Sequence, residues 1–255
     1  MNRRNVKRLL ALAALPLLTG ARDPILVPDV SQHEVEVRQG FTGTELLLFG
    51  AILNPEGTRA GRDYDIVVVL KGPTESIRVR EKRRIAGMWI NADSTGFRSA
   101  PLFYAVASSR PIREIVDDKT AAIYELGLPW LQLSPIGAID PEEQARFAAG
   151  LVDLNRRGQL YQQQDRGVKI SEQVLYQARI SLPSSVPTGV YTAETFAIRK
   201  GRVISSAMSR VEVRKHGFEG AIVRFADEQG FFYGLMAVCV SVLMGWIAGR
   251  LFALV

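Results

Sequence analysis

Residues 189–215 read GVYTAETFAIRKGRVISSAMSRVEVRK, two runs rich in β-branched and aromatic residues that meet at Lys200-Gly201. That dipeptide reads as the tight turn of a hairpin between residues 191–199 and 203–213. Runs of the same kind stand at 33–37, 45–51, 65–71 and 76–84, continue at 88–91 and 102–108, and return at 173–182. Gly, Pro and Asn clusters separate them. Short strands at this spacing predict a mainly β protein, a β-sandwich of immunoglobulin-like or similar kind.

One interval breaks the pattern. Asp140 suits an N-cap, Pro141 the first helical position, and Glu142 and Glu143 the positive end of a helix. Phe147, Leu151 and Leu154 recur on one face, and Arg156-Arg157-Gly158 closes the segment. A shorter helix is expected over 117–126. The chain thus divides into a β-rich part at 22–110, a helical insertion at 111–160 without a sizeable core of its own, and a second β-rich part at 161–217. No internal repeat or low-complexity tract occurs.

Both ends carry membrane signals. Residues 231–255, FFYGLMAVCVSVLMGWIAGRLFALV, contain one charge, Arg250. Their uncharged stretch 231–249 spans about 28 Å as a helix, close to the roughly 30 Å of a hydrocarbon core. No polar face interrupts it, so a transmembrane helix with a short cytoplasmic end is expected. At the other end, Arg3, Arg4, Lys7 and Arg8 precede the apolar run LLALAALPLL at 9–18 and the small residues Thr19-Gly20-Ala21. That order matches a secretory signal peptide over 1–21. Together the two signals predict a single-pass, type I protein of a bacterial inner membrane. Its body would lie in the periplasm, with Arg250 on the positive-inside side. Residues 218–230 place Phe218, Ile222 and Phe225 on one helical face, as expected of a juxtamembrane helix.

Charge and cysteine content narrow the function. The chain has 32 Lys+Arg against 26 Asp+Glu. Without the four basic residues of the signal the balance is 28 against 26, so the excess reflects targeting and argues against nucleic acid as a partner. The sole cysteine, Cys239, lies in the apolar helix, which leaves the exported body to fold without a disulfide. Only His33 and His216 are present, so neither a metal site nor a cofactor is expected. No GxSxG, Walker A, HExxH or CxxCH motif occurs. Asp117-Asp118 and Glu142-Glu143 read as helix starts, and Ser108-Ser109-Arg110 as a strand-to-helix turn before Pro111. With no nucleophile, base and orienter to name, no catalytic residue is assigned and the chain is expected not to be an enzyme.

Two features point to binding. Along residues 76–84, Arg78, Arg80 and Lys82 fall on one strand face, with Arg84 and Trp89 close by, and Ile77, Val79 and Glu81 fall on the other. This cationic stripe, with Arg110 as a further cation, suits an oxyanion or acidic lipid headgroups; equally, it suits a solvated edge guarded against strand addition. In the apolar segment, Ala237, Ser241, Gly245 and Gly249 recur every four residues, and Gly230 and Gly234 form a further GxxxG. Small residues so spaced let a neighbouring helix approach closely, so self-association or docking on a multi-span partner is expected.

The blocks FTGTELLLFGA (41–51), AGMWIN (86–91), FYAVASSRP (103–111) and VPTGVY (186–191) resemble those of an uncharacterised alphaproteobacterial putative transmembrane protein family, over nearly the whole chain. The resemblance implies an exported β-rich domain with one C-terminal span and no established activity. It also implies a neighbourhood of sulfite-exporter-like permeases. Two functional expectations follow: a membrane-anchored accessory protein for an inner-membrane partner such as an anion permease, and a periplasmic sensor or binding module for a small oxyanion.

Overall fold

The hairpin closes at Lys200-Gly201, where both residues hold positive φ (50° and 79°), the type I′ geometry whose twist suits paired strands. The computed structural model describes residues 24–38, 40–53, 64–172, 174–215, 222 and 225–252. In chain order the strands are β1 (Ile25–Val30), β2 (Glu34–Val37), β3 (Gly43–Leu53), β4 (Asp65–Lys71), β5 (Thr74–Ile85), β6 (Met88–Pro101), β7 (Tyr104–Ser108), β8 (Tyr161–Gln164), β9 (Val168–Ser171), β10 (Leu175–Pro183), β11 (Gly189–Arg199) and β12 (Arg202–Lys215). The helices are α1 (Ile112–Ile115), α2 (Asp118–Ile123), α3 (Pro141–Arg157) and the apolar α4 (Gly230–Phe252). The expected signal peptide, His216 and Phe218 lie outside the described residues.

Two sheets form the expected sandwich. One has the order β1-β3-β10-β9, the other β2-β12-β11-β4-β7-β8. Read along the chain, this is the immunoglobulin arrangement, with A-B-E-D strands facing G-F-C-C′-C″ strands. Leu46, Leu48, Ile180 and Leu182 of the first sheet pack on Ile66, Val68, Leu70 and Val211 of the second. Tyr191, near the start of β11, donates its hydroxyl to the Pro187 carbonyl at 2.6 Å, a tyrosine corner that ties the strand to the loop before it.

β4 reads DIVVVLK, and Ile66 to Leu70 are all fully buried. Such an uninterrupted apolar run marks a strand covered on both faces. On its outer face Val67 and Val69 join Tyr104, Val106 and Phe196 in a second core, capped by Ile112, Ile115, Ala121 and Leu126. The helical insertion is therefore a cover and also a crossover. β7 and β8 run parallel, and parallel neighbours need a long connection. Asp117 accepts from the Thr120 amide and Asp140 from the Glu142 amide, each at 2.9 Å, so both acidic pairs start helices. α3 ends differently from expectation: Gly158 keeps φ −77°, and Gln159 takes the left-handed position at 58°.

Beyond Lys71 the β4–β7 ladder does not stop. Lys71 pairs with Tyr104, the Gly72 amide donates to the Phe103 carbonyl, and the Leu102 amide donates to the Pro73 carbonyl, each bond at 2.8 Å. Thr74 then pairs with Pro101, and β5–β6 continue to a type I′ turn at Ala86-Gly87. The two strands form a sheet of their own, an arm standing off one end of the sandwich. Ile77 and Val79 pack beneath it with Phe97, Phe147 and Leu151, so α3 braces its inner half.

Two outcomes follow from this packing. A Cβ at Gly50 would press on the Val27 carbonyl and the Tyr176 hydroxyl between adjacent strands. Gly50→Ala is therefore expected to lower unfolding stability by about 1–3 kcal/mol in denaturant titrations. The second concerns the buried phenols. Burial pushes the Tyr161 hydroxyl up to about 12 and raises those of Tyr104, Tyr176 and Tyr191. The unfolded chain ionises near pH 10, so their contribution is complete below that pH and is lost as pH rises toward the folded values. Tyrosinate absorbance from these residues should appear together with loss of near-ultraviolet circular dichroism, above about pH 10.

Candidate functional site

Alternation along β5 places Arg78, Arg80 and Lys82 outward, while Ile77, Val79 and Glu81 turn toward α3 and are half-buried. Cross-strand register sets Arg78 opposite Gly96, Arg80 opposite Ser94, Lys82 opposite Asn91 and Arg84 opposite Trp89. Among the described residues, Arg78, Arg80 and Lys82 have no carboxylate partner. Arg83 is held by Asp93 and Glu81, and Arg146 reaches Glu81 from α3 at 3.3 Å. Arg84 Nε donates to the Gly87 carbonyl at 3.3 Å, bracing the turn. Arg78 also borders an open cleft of about 480 Å³ with Thr95, Asp140 and Glu143, whose carboxylates make that cleft unsuited to an anion.

Arg110 does not join this stripe. It sits after β7 at the start of β4, where Nε and one terminal nitrogen donate to the two Asp65 oxygens at 2.9 and 2.6 Å. Ser109 donates to the same carboxylate at 2.9 Å and accepts the Ile66 amide. The Ser108-Ser109-Arg110 segment is thus a turn fastened to a strand start. The edge of the guanidinium that would grip an oxyanion in bidentate fashion is taken by Asp65, and its other terminal nitrogen lies 3.8 Å from Glu114.

The membrane-type helix is a separate surface. α4 is a 23-residue helix whose apolar part, Gly230–Arg250, has a mean hydropathy of 2.0 and is long enough to cross a bilayer. Gly230, Gly234, Ala237, Ser241, Gly245 and Gly249 lie within a band about 120° wide at the ideal helical angle. Ser241 Oγ donates to the Ala237 carbonyl at 2.8 Å, so its hydroxyl is satisfied inside the helix and the band is apolar and shallow. Phe231, Phe232 and Tyr233 stand at one end, and Arg250 stacks over Trp246, 5.6 Å from the ring centre, at the other. Aromatic residues at both ends fit the two interfaces of a membrane. Residues 225–228 are helical just ahead of it, with Phe225 against Tyr233.

Sequence reasoning missed a third feature, an open cleft of about 630 Å³ beside β4 and β11. Lys71 and Glu125 pair within it at 2.5 Å, and Tyr124, Glu194, Phe196 and Met208 complete its walls. The ion pair cancels the only cation against a carboxylate, and no histidine, cysteine or serine–base pair stands among these groups. His33 is exposed, 3.5 Å from Asp29, and does not line the cleft. Among the described residues no cluster of three metal-type ligands occurs.

Comparison with known families now adds class. The family model described as "Putative transmembrane protein (Alph_Pro_TM)" matches residues 25–253, from β1 to the end of α4. The chain belongs to this family, and among the described residues one helix, α4, is long and apolar enough to cross a membrane. A comparison with curated proteins gives no match.

The brace under the arm is testable on its own. Phe147→Ala removes the largest α3 side chain below β5 and β6 and should cost about 3 kcal/mol locally. Amide hydrogen exchange should then accelerate at Ile77, Val79 and Phe97, while the Ile66–Leu70 amides stay protected.

Proposed function

We propose that this chain is a membrane-anchored periplasmic accessory protein that binds or stabilises an inner-membrane partner through α4. The observation that carries the reading is the small-residue band of α4, Gly230, Gly234, Ala237, Ser241, Gly245 and Gly249, on a helix with no polar face. In lipid, burial of apolar area gives no drive to association, and close backbone approach across small residues supplies it. Family membership supports the membrane setting. The resemblance to proteins with sulfite-exporter-like permeases as neighbours supports an anion permease as the partner class. Orientation follows from the signal peptide reading at 1–21 together with Arg250: body in the periplasm, C-terminus in the cytoplasm. A non-enzymatic role fits the clefts, where no nucleophile, base and orienter come together.

A soluble-oxyanion module draws less support. Arg110 is committed to Asp65, and the cleft beside Arg78 is lined by Asp140 and Glu143.

Gly245→Ile with Gly249→Ile fills the band with bulk. The full-length double variant, extracted in mild detergent, should retain its fold and its membrane insertion. It should recover at least about tenfold less co-purifying membrane partner than the parent chain, a loss of about 1.4 kcal/mol or more in association. Recovery equal to that of the parent chain would refute the assignment of α4 as the docking surface.

A further inference from the structure

The outer end of the arm has a composition that neither the sandwich nor α3 uses. Ile85, Met88, Trp89 and Ile90 are 50, 67, 68 and 43% exposed, grouped around the Ala86-Gly87 turn. Between Lys82 and Asn91 the ribbon carries Lys82, Arg83 and Arg84; Asp93 and Glu81 pair with Arg83, which leaves Lys82 and Arg84 without a carboxylate partner among the described residues. Register puts Ile85, Met88 and Ile90 on one face and sets Trp89 beside Arg84 on the other. An apolar tip with a collar of cations is the composition of a surface that enters the headgroup layer of an anionic bilayer. Trp favours that interface, and each Lys or Arg near it gains from the surface potential.

Topology points the tip the right way. β11 runs antiparallel to β4 and β12 antiparallel to β11, so β4 and β12 run in the same direction. The arm prolongs β4 past Lys71, and β12 ends at Lys215 at that same end, from which the chain proceeds to α4. Lengths agree as well. From Lys71 to Ile85 the ribbon extends up to about 45 Å at roughly 3.3 Å per residue. Residues 216–224, even fully extended, followed by one helical turn or so, hold the body within about 40 Å of the start of α4. The arm is long enough to meet the membrane that the tether keeps close.

We propose that the Ile85–Ile90 tip and its flanking cations Lys82 and Arg84 form a second membrane contact, seated in the anionic phospholipid headgroups of the bilayer that α4 crosses. The helix anchors the chain and the tip fixes the tilt of the sandwich above the lipid. This inference needs only α4 and the strand register, so it stands or falls separately from the partner assigned to the small-residue band.

The test uses the full chain carrying Trp130→Phe and Trp246→Phe, which leaves Trp89 as its only tryptophan. The protein is placed in nanodiscs of phosphatidylcholine alone or mixed with phosphatidylglycerol, with brominated acyl chains as quenchers. Trp89 emission should be quenched at least about twofold more in the anionic discs, and Lys82→Glu with Arg84→Glu should abolish the difference. If the tryptophan replacements unfold the chain, a polarity-sensitive dye on Met88→Cys in a Cys239→Ser background reads the same contact. A tip that stays water-exposed in both lipids overturns the proposal. So does protection that appears only with a co-purified protein and ignores lipid charge, which would assign the tip to a protein surface.

Discussion

Burial of one strand on both faces organises this molecule. Ile66 to Leu70 form the wall shared by the inter-sheet core and the core beneath the helical cover. Five adjacent apolar side chains leave this segment no solvated face, so sheet and insertion must close over it from opposite sides. The same strand continues through Gly72 and Pro73 into the arm, still bonded to the chain returning toward β7. A sandwich, its cover and its projection therefore share one ladder. An apolar-to-polar change in β4 would be felt in all three, because any polar group placed there lacks water and a partner.

The elements legible in the sequence were those whose chemistry repeats locally. β4 has the bounds expected from its Val and Ile content, β12 exceeds its expected span by one residue at the start and two at the end, and the Lys200-Gly201 turn and the α3 start with Asp140 and Pro141 are local signals too. β8, reading YQQQ, and β9, reading VKIS, have little apolar alternation; they are strands because β7 and β10 offer them open edges. β1 contains Pro28 and is an edge strand, where a missing amide costs least. The polar half of β6 was hidden for a similar reason, since only its pairing with β5 makes it a strand.

Site residues divided along the same line. Alternation alone separated Arg78, Arg80 and Lys82 from Ile77 and Val79, because period two is a property of any strand. It could not place Arg110, whose partner Asp65 is 45 positions away in the chain and beside it only in the folded sheet. Nor did it reveal the apolar tip, which exists because Ala86-Gly87 folds Ile85 against Met88. An Ile-x-x-Met pair around a small-residue turn, followed by Trp and Ile, was the available signal. α4 needed no tertiary information at all: composition and length decide it, and family membership agrees.

The arm base, the β11 start and the β12 exit share one end of the sandwich, and the second membrane contact we propose sets that end toward the bilayer. The opposite end carries the Lys200-Gly201 turn and the Asp65–Arg110 pair. Spin labels attached singly at Thr188→Cys and Lys200→Cys, in a full-length Cys239→Ala chain in bilayers with a paramagnetic lanthanide on the headgroups, measure this directly. The account predicts strong relaxation enhancement at position 188 and little at position 200. Equal enhancement at the two positions, or the reverse order, would contradict it.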